Sequence, residues 1–228
     1  MGLELLNSDD INLIEDFKTT LDKISSILNS LGVSATSYHT SYLKDYSKLS
    51  SHQKKSALRD SQKYLECLTA SELVEPATDD DRDTPDLGQS LWFALRHFGL
   101  RPTSDLFELL SMNDAVEIYN AEGIQVWRNL KFMEVCSYTL EEIFCYTWQD
   151  RYTRSEAATV QIMDVISKFS TISPKSIKCG IKNLLHEKFS VKKLTIDVTH
   201  EMLSPVFNSL NAVGGFVVTS KVKILQPN

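Results

Sequence analysis

The chain has 228 residues, 24 Lys plus Arg against 30 Asp plus Glu, a formal net charge of −6 and a sequence pI near 5.4. That length fits one large domain, or one domain with an accessory segment, and a 42% hydrophobic content excludes wholesale disorder. The acidic balance excludes nucleic-acid coating by bulk charge, and no apolar run approaches the roughly 18 residues that a membrane helix needs.

Met1 to Asn12 has no basic region followed by an apolar one, so no secretory signal is expected. Cys67, Cys136, Cys145 and Cys179 form no CxxC pair and no zinc-finger spacing. They read as reduced thiols of a cytoplasmic protein. Packed small hydrophobes are the simple reading and a redox-sensing thiol the alternative.

In chain order, Ile14, Phe17, Leu21, Ile24, Leu28 and Leu31 are spaced 3, 4, 3, 4, 3, a narrow helical stripe. This is the seam of a homodimer, or equally the buried face of a helix within its own domain. Ser8 or Asp9 caps the helix, and Gly32 ends it. A polar connector (Ser34 to Ser51) precedes a second helix from Gln53 to Leu73. Glu75 to Asp86, with five aspartates, four of them between two prolines, reads as a solvated linker rather than a calcium loop.

Gln89 to Phe98 is an amphipathic helix, and a short helix follows Pro102. His97 beside its aromatic face reads as a packing residue. Val116 to Tyr119 and Ile124 to Trp127 alternate around the turn Asn120-Ala121-Glu122-Gly123, a hairpin. Thr139 caps a short helix from Leu140 to Phe144, with Glu142 as its capping-box partner. Ser155 to Lys168 is a longer helix expected to bury Val160, Ile162, Met163 and Ile166. Thr171 to Leu185 looks turn-like, then helical. Phe189 to Val198 and Phe216 to Leu225 read as an antiparallel pair with one face on solvent. The expected parts are a helical region (1–75), an acidic linker (76–88), connecting helices (89–112) and a mixed domain (113–228).

Three groups of residues then stand out together. They are Trp127-Arg128-Asn129, Phe132-Met133-Glu134-Val135 and Tyr138-Thr139-Leu140-Glu141-Glu142-Ile143. The stretch from Ala115 to Ile143 resembles the opening of a PAS domain, and the order of elements to Leu225 extends the likeness over about half the chain. Ser137 and Cys145 stand where that family usually has glycine. The resemblance implies an α+β fold, an antiparallel sheet covered by helices after an N-terminal helical region. It also implies a sensory or regulatory role.

Trp127, Phe132, Met133, Tyr138, Phe144, Cys145 and Trp148 are the candidate pocket for a small apolar or aromatic ligand. Ordinary core packing is the competing reading. No cofactor is assigned. His186 lies outside the motif, and Cys136 and Cys145 lack a flavin-type context.

No catalytic or metal motif is present, so no enzyme is expected. Asp197, Thr199, His200 and Glu201 read as a polar turn at a strand end. Seven lysines between Lys168 and Lys193 face one acid, Glu187, and read as a solvated face or a partner surface. The expected function is signal sensing through a ligand or protein partner, relayed by the N-terminal helices. The alternative is a ligand-free adaptor.

Overall fold

The 3, 4 spacing folds as helix α1 (Ser8–Ser30) in the computed structural model, which describes residues 8–72, 87–170 and 174–225. Gly32 follows at φ 81°, and the Val33 N–H donates to the Leu28 carbonyl at 2.9 Å, closing the helix in the left-handed conformation. Helix α1 packs on α2 (Ser51–Glu72). Phe17, Leu21, Ile24 and Leu28 are wholly buried by their own chain, Ile14 is half-buried and Leu31 is exposed. The expected seam between two copies is thereby corrected. Its four central side chains share one core cluster with Tyr64, Leu91, Ile118 and Val217, where no second copy reaches them. The expected linker lies almost wholly outside the described residues.

After α3 (Leu87–His97), the short helix expected beyond Pro102 is a single 3-10 turn at Phe107–Leu109. The hairpin forms from β1 (Ala115–Asn120) and β2 (Gln125–Arg128). Three short helices follow: α4 (Leu130–Met133), α5 (Leu140–Cys145) and α6 (Trp148–Arg151). Then come the two-residue β3 (Tyr152–Thr153), α7 (Glu156–Ser167), and three long strands, β4 (Ile177–Glu187), β5 (Thr195–Phe207) and β6 (Val213–Leu225). The fold is α+β. All the strands form one antiparallel sheet in the order β2-β1-β6-β5-β4-β3. Strands β1 and β6 meet closely: a Cβ on Gly215 would lie 2.0 Å from the Tyr119 carbonyl oxygen, so only glycine fits there.

Three expectations are corrected. Residues 177–187, expected to turn and then coil into a helix, are a strand. Ile181, Asn183, Leu185 and Glu187 alternate inward, and the polar members of that set disguise the period. Helix α7 buries Ala158, Ile162 and Val165, while Val160 and Met163 are exposed; its sequence is apolar on several sides, so pattern does not fix its rotation. Strand β5 begins at Thr195, after a turn that holds Phe189 to Val191, and runs on through His200 to Phe207 rather than ending in a polar turn.

Both faces of the sheet are covered around β1 and β2. On one face Tyr119, Leu203, Phe216 and Val218 pack against Ala158 and Ile162 of α7. On the other, Val116, Ile118, Met202 and Val206 join the N-terminal helices, and the Thr103 and Ser204 hydroxyls meet at 2.9 Å. Solvent reaches this second face only farther along, where Lys182, Leu184, His186, Asp197, Lys221 and Lys223 are exposed.

The N-terminal region is fixed to the sheet domain through α5. The Leu140 and Glu141 amides, first-turn donors that the Thr139 cap leaves without a partner inside the helix, donate to the Thr36 and Ser37 carbonyls at 2.9 Å each. Buried Glu141 returns the favour: its Oε1 accepts from the Asp45 and Tyr46 amides at 2.8 and 3.0 Å. Glu141→Ala is expected to strand both donors and destabilise the protein by about 2 kcal/mol, read as a lower urea midpoint. Because one core spans both regions, far-ultraviolet and aromatic circular dichroism should report a single coincident transition. A separate, earlier loss of helix would contradict that shared core.

Candidate ligand site

The α7-covered face is built from cross-strand rows. Arg128, Glu117 and Val218 stand side by side on β2, β1 and β6; Gln125, Tyr119 and Phe216 form the next row; Ser220, His200 and Ile181 form another. Local signals in the sequence set the helices above them. Asn129 Oδ1 caps α4, accepting from the Phe132 amide at 3.3 Å, and also accepts from the Val116 amide at 3.0 Å. Thr139 and Glu142 form the expected capping box on α5. Thr147 caps α6 by accepting from the Asp150 amide, which sets Trp148 against Gly123 of the hairpin turn.

A cavity of about 40 Å³ lies between this sheet face and the helices. Tyr119, Phe132, Trp148, Phe216 and Val218 are among its apolar walls, and Glu117, Arg154, His200 and Ser220 supply polar atoms. The cavity borders a buried ionic cluster. The Glu117 carboxylate accepts from the Tyr119 hydroxyl. Arg151 is wholly buried, and its Nη1 donates to Gln125 Oε1 at 2.7 Å. Arg154 Nη2 donates to the Trp148 carbonyl at 2.6 Å, and its guanidinium stands 4.2 Å from the Trp148 ring centroid. Arg128 lies over Phe132 and Arg151 over Tyr152, at 5.4 and 5.8 Å.

Each guanidinium thus rests on a ring, and among the described residues none forms an ion pair with a carboxylate. The buried Glu187 does not balance them, since its oxygens accept from Ser137, Ser190 and Leu194. Arg128 Nη2, Arg151 Nε and Nη2, Gln125 Nε2, His200 Nε2 and both amide atoms of Asn183 are buried without a protein partner.

Burial pushes Glu117 above the usual carboxylate range, against the pull of Tyr119 and the three arginines. Burial also lowers Arg154 to about 10, which leaves it charged at neutral pH. His200 is pushed down to about 4, by burial first and by Arg154 second, so its ring is neutral at pH 7. Its Nδ1 lies 2.9 Å from Ser220 Oγ. The chain matches no protein-family model and no curated protein.

Of the seven aromatic-block residues, Phe132 and Trp148 line the cavity. The other five are elsewhere. Tyr138 is buried beside Tyr152, its hydroxyl donating to the Arg151 carbonyl and accepting from the Lys188 amide. Met133 lies in the main core. Trp127 pairs with Ile118 on the opposite sheet face. Phe144 packs on Tyr64, and with Cys145 it lines a cleft against α2. His97 contacts Glu66 on α2.

The charged wall of the cavity was not legible in the sequence. Glu117 and Arg128 look like the outward half of a hairpin, and His200 looks like a turn residue. The available signal was three arginines within one short helical block and its hairpin, at 128, 151 and 154.

His200 gives this face a pH signature. A histidine lowered below its unfolded value of roughly 6.5 contributes stability that is present above that pH and is lost as pH falls toward 4. The full effect is on the order of 3 kcal/mol. Glu117 and Glu141, raised by burial, act in the opposite sense, so the readout is a difference between two curves. Urea midpoints of the parent should fall relative to those of His200→Gln between about pH 6.5 and about pH 4. Parallel curves would contradict the buried neutral ring.

Proposed function

We propose that this chain is a non-catalytic sensory or regulatory protein of PAS-like type, which holds a small molecule in the cavity beneath Trp148 and α7 and reports its occupancy through the N-terminal helices. The observation that carries the reading is a cavity with apolar walls, bordered by buried polar atoms that have no protein partner. The order of hairpin, short helices, long helix and returning strands supports the PAS likeness, as do the Asn129 cap and the Thr139–Glu142 capping box. A His200 that titrates near 4 is a weak base at neutral pH, which favours binding over proton transfer. Four cysteines outside any disulfide suit a reducing cytoplasm, and no helix among the described residues is long and apolar enough to cross a membrane.

The relay is short. Trp148 lines the cavity, and two residues earlier the Tyr146 hydroxyl donates to Asp45 Oδ1 at 2.8 Å. Displacement of Trp148 would pull on the segment that Glu141 also holds. The signal would leave by contact with a protein partner. Any homodimer on this reading uses a surface other than the α1 stripe.

The size of the cavity favours a second reading. A site for one water needs about 10–15 Å³ and a benzene site about 150 Å³, so about 40 Å³ holds only a few heavy atoms. A ligand-free adaptor would hold water there. Native mass spectrometry of the purified protein decides between them. A retained small mass, lost in Trp148→Ala while far-ultraviolet circular dichroism stays unchanged, is the expected result. A bare polypeptide mass that stays bare after incubation with cell extract favours the adaptor.

A further inference from the structure

We propose that the cavity takes a small anion, a short monocarboxylate of the size of propionate, with its carboxylate at Arg154 and His200 Nε2 and its carbons among Tyr119, Trp148 and Phe216. The inference rests on the ligand-binding reading above and deepens it by naming the class of ligand.

Charge carries the argument. Arg128, Arg151 and Arg154 surround a single facing carboxylate, Glu117. If Glu117 is ionised the cluster holds two excess positive charges, and if it is protonated it holds three. Uncompensated charge in a low-dielectric setting is costly, and an anion relieves it. The donors are in place. Arg154 lines the cavity, and with the proton on Nε2 and the Ser220 hydroxyl donating to Nδ1, neutral His200 presents an N–H to it.

An ammonium ligand is the obvious rival, since aromatic rings beside Glu117 resemble a cation cage. The Trp148 face, however, is already taken by Arg154 at 4.2 Å, and the excess charge repels a further cation. Volume sets the length: about 40 Å³ admits a carboxylate on two or three carbons.

The test is a binding series on the full chain at constant ionic strength, with propionate, propionamide and propylammonium, followed by thermal unfolding and by nuclear magnetic resonance of the His200 ring. Propionate should raise the unfolding midpoint saturably and shift the His200 resonances at a concentration at least tenfold lower than propionamide needs. Propylammonium should do neither. Arg154→Gln should weaken propionate at least tenfold, toward the amide. Should that variant not fold, the His200 shifts in the unaltered protein still decide.

Equal binding of amide and carboxylate, or preference for the ammonium, overturns the anion while leaving a ligand site. Absence of binding by all three also overturns it, and the retained mass in native spectrometry then separately decides whether any ligand is held.

Discussion

The helix-covered face of the sheet is organised around Arg151, a buried guanidinium that among the described residues forms no ion pair with a carboxylate. Its side chain reaches β2 through Gln125, and its carbonyl accepts from the Tyr138 hydroxyl and from the Lys188 amide at 3.0 Å. One residue therefore joins the hairpin, the short helices and the turn after β4. A buried charge with so few partners is a poor source of stability, because desolvation offsets most of what its contacts return. What it does provide is position: the helices can settle only where the guanidinium finds its one amide acceptor and its ring.

That arrangement makes the cavity and its charge two aspects of one feature. Trp148 and Arg154 stack on each other at the wall, and glycine at 123 leaves room for the indole, since a Cβ there would lie 3.1 Å from Trp148 Cδ1. Glu117 stands opposite Arg128 on the neighbouring strand and is the one carboxylate that faces the three arginines, so the field at the cavity is positive overall. On the proposed ligand-binding reading, small size and a positive field favour a compact anion over the small apolar or aromatic molecule that the aromatic block alone suggests.

The N-terminal helices are part of the same molecule in the energetic sense. They bury the second face of the sheet, and Glu141 and Tyr146 hold the segment around Asp45 from opposite ends of α5. This has two consequences. The α1 stripe is used up inside the chain, and the path from the cavity wall to the N-terminal region is only a few bonds long.

Local signals determined much of this by themselves. The 3, 4 spacing of α1, the Gly32 ending, the Asn120–Gly123 turn, the Asn129 cap and the Thr139–Glu142 box each rest on neighbours within a few residues, so the sequence carries them directly. The α+β class follows from their order. Tertiary structure decided what those elements face. Glu117 and Arg128 became interior because the helices that follow the hairpin, carrying Phe132, Trp148 and Ile162, cover the sheet face on which they stand. His200 became a cavity wall because β5 continues past it, through a register shift before Met202. Asn183 hid β4 by placing a polar residue at an inward position. Burial is a property of what arrives from elsewhere in the chain, and no periodicity within a strand records it.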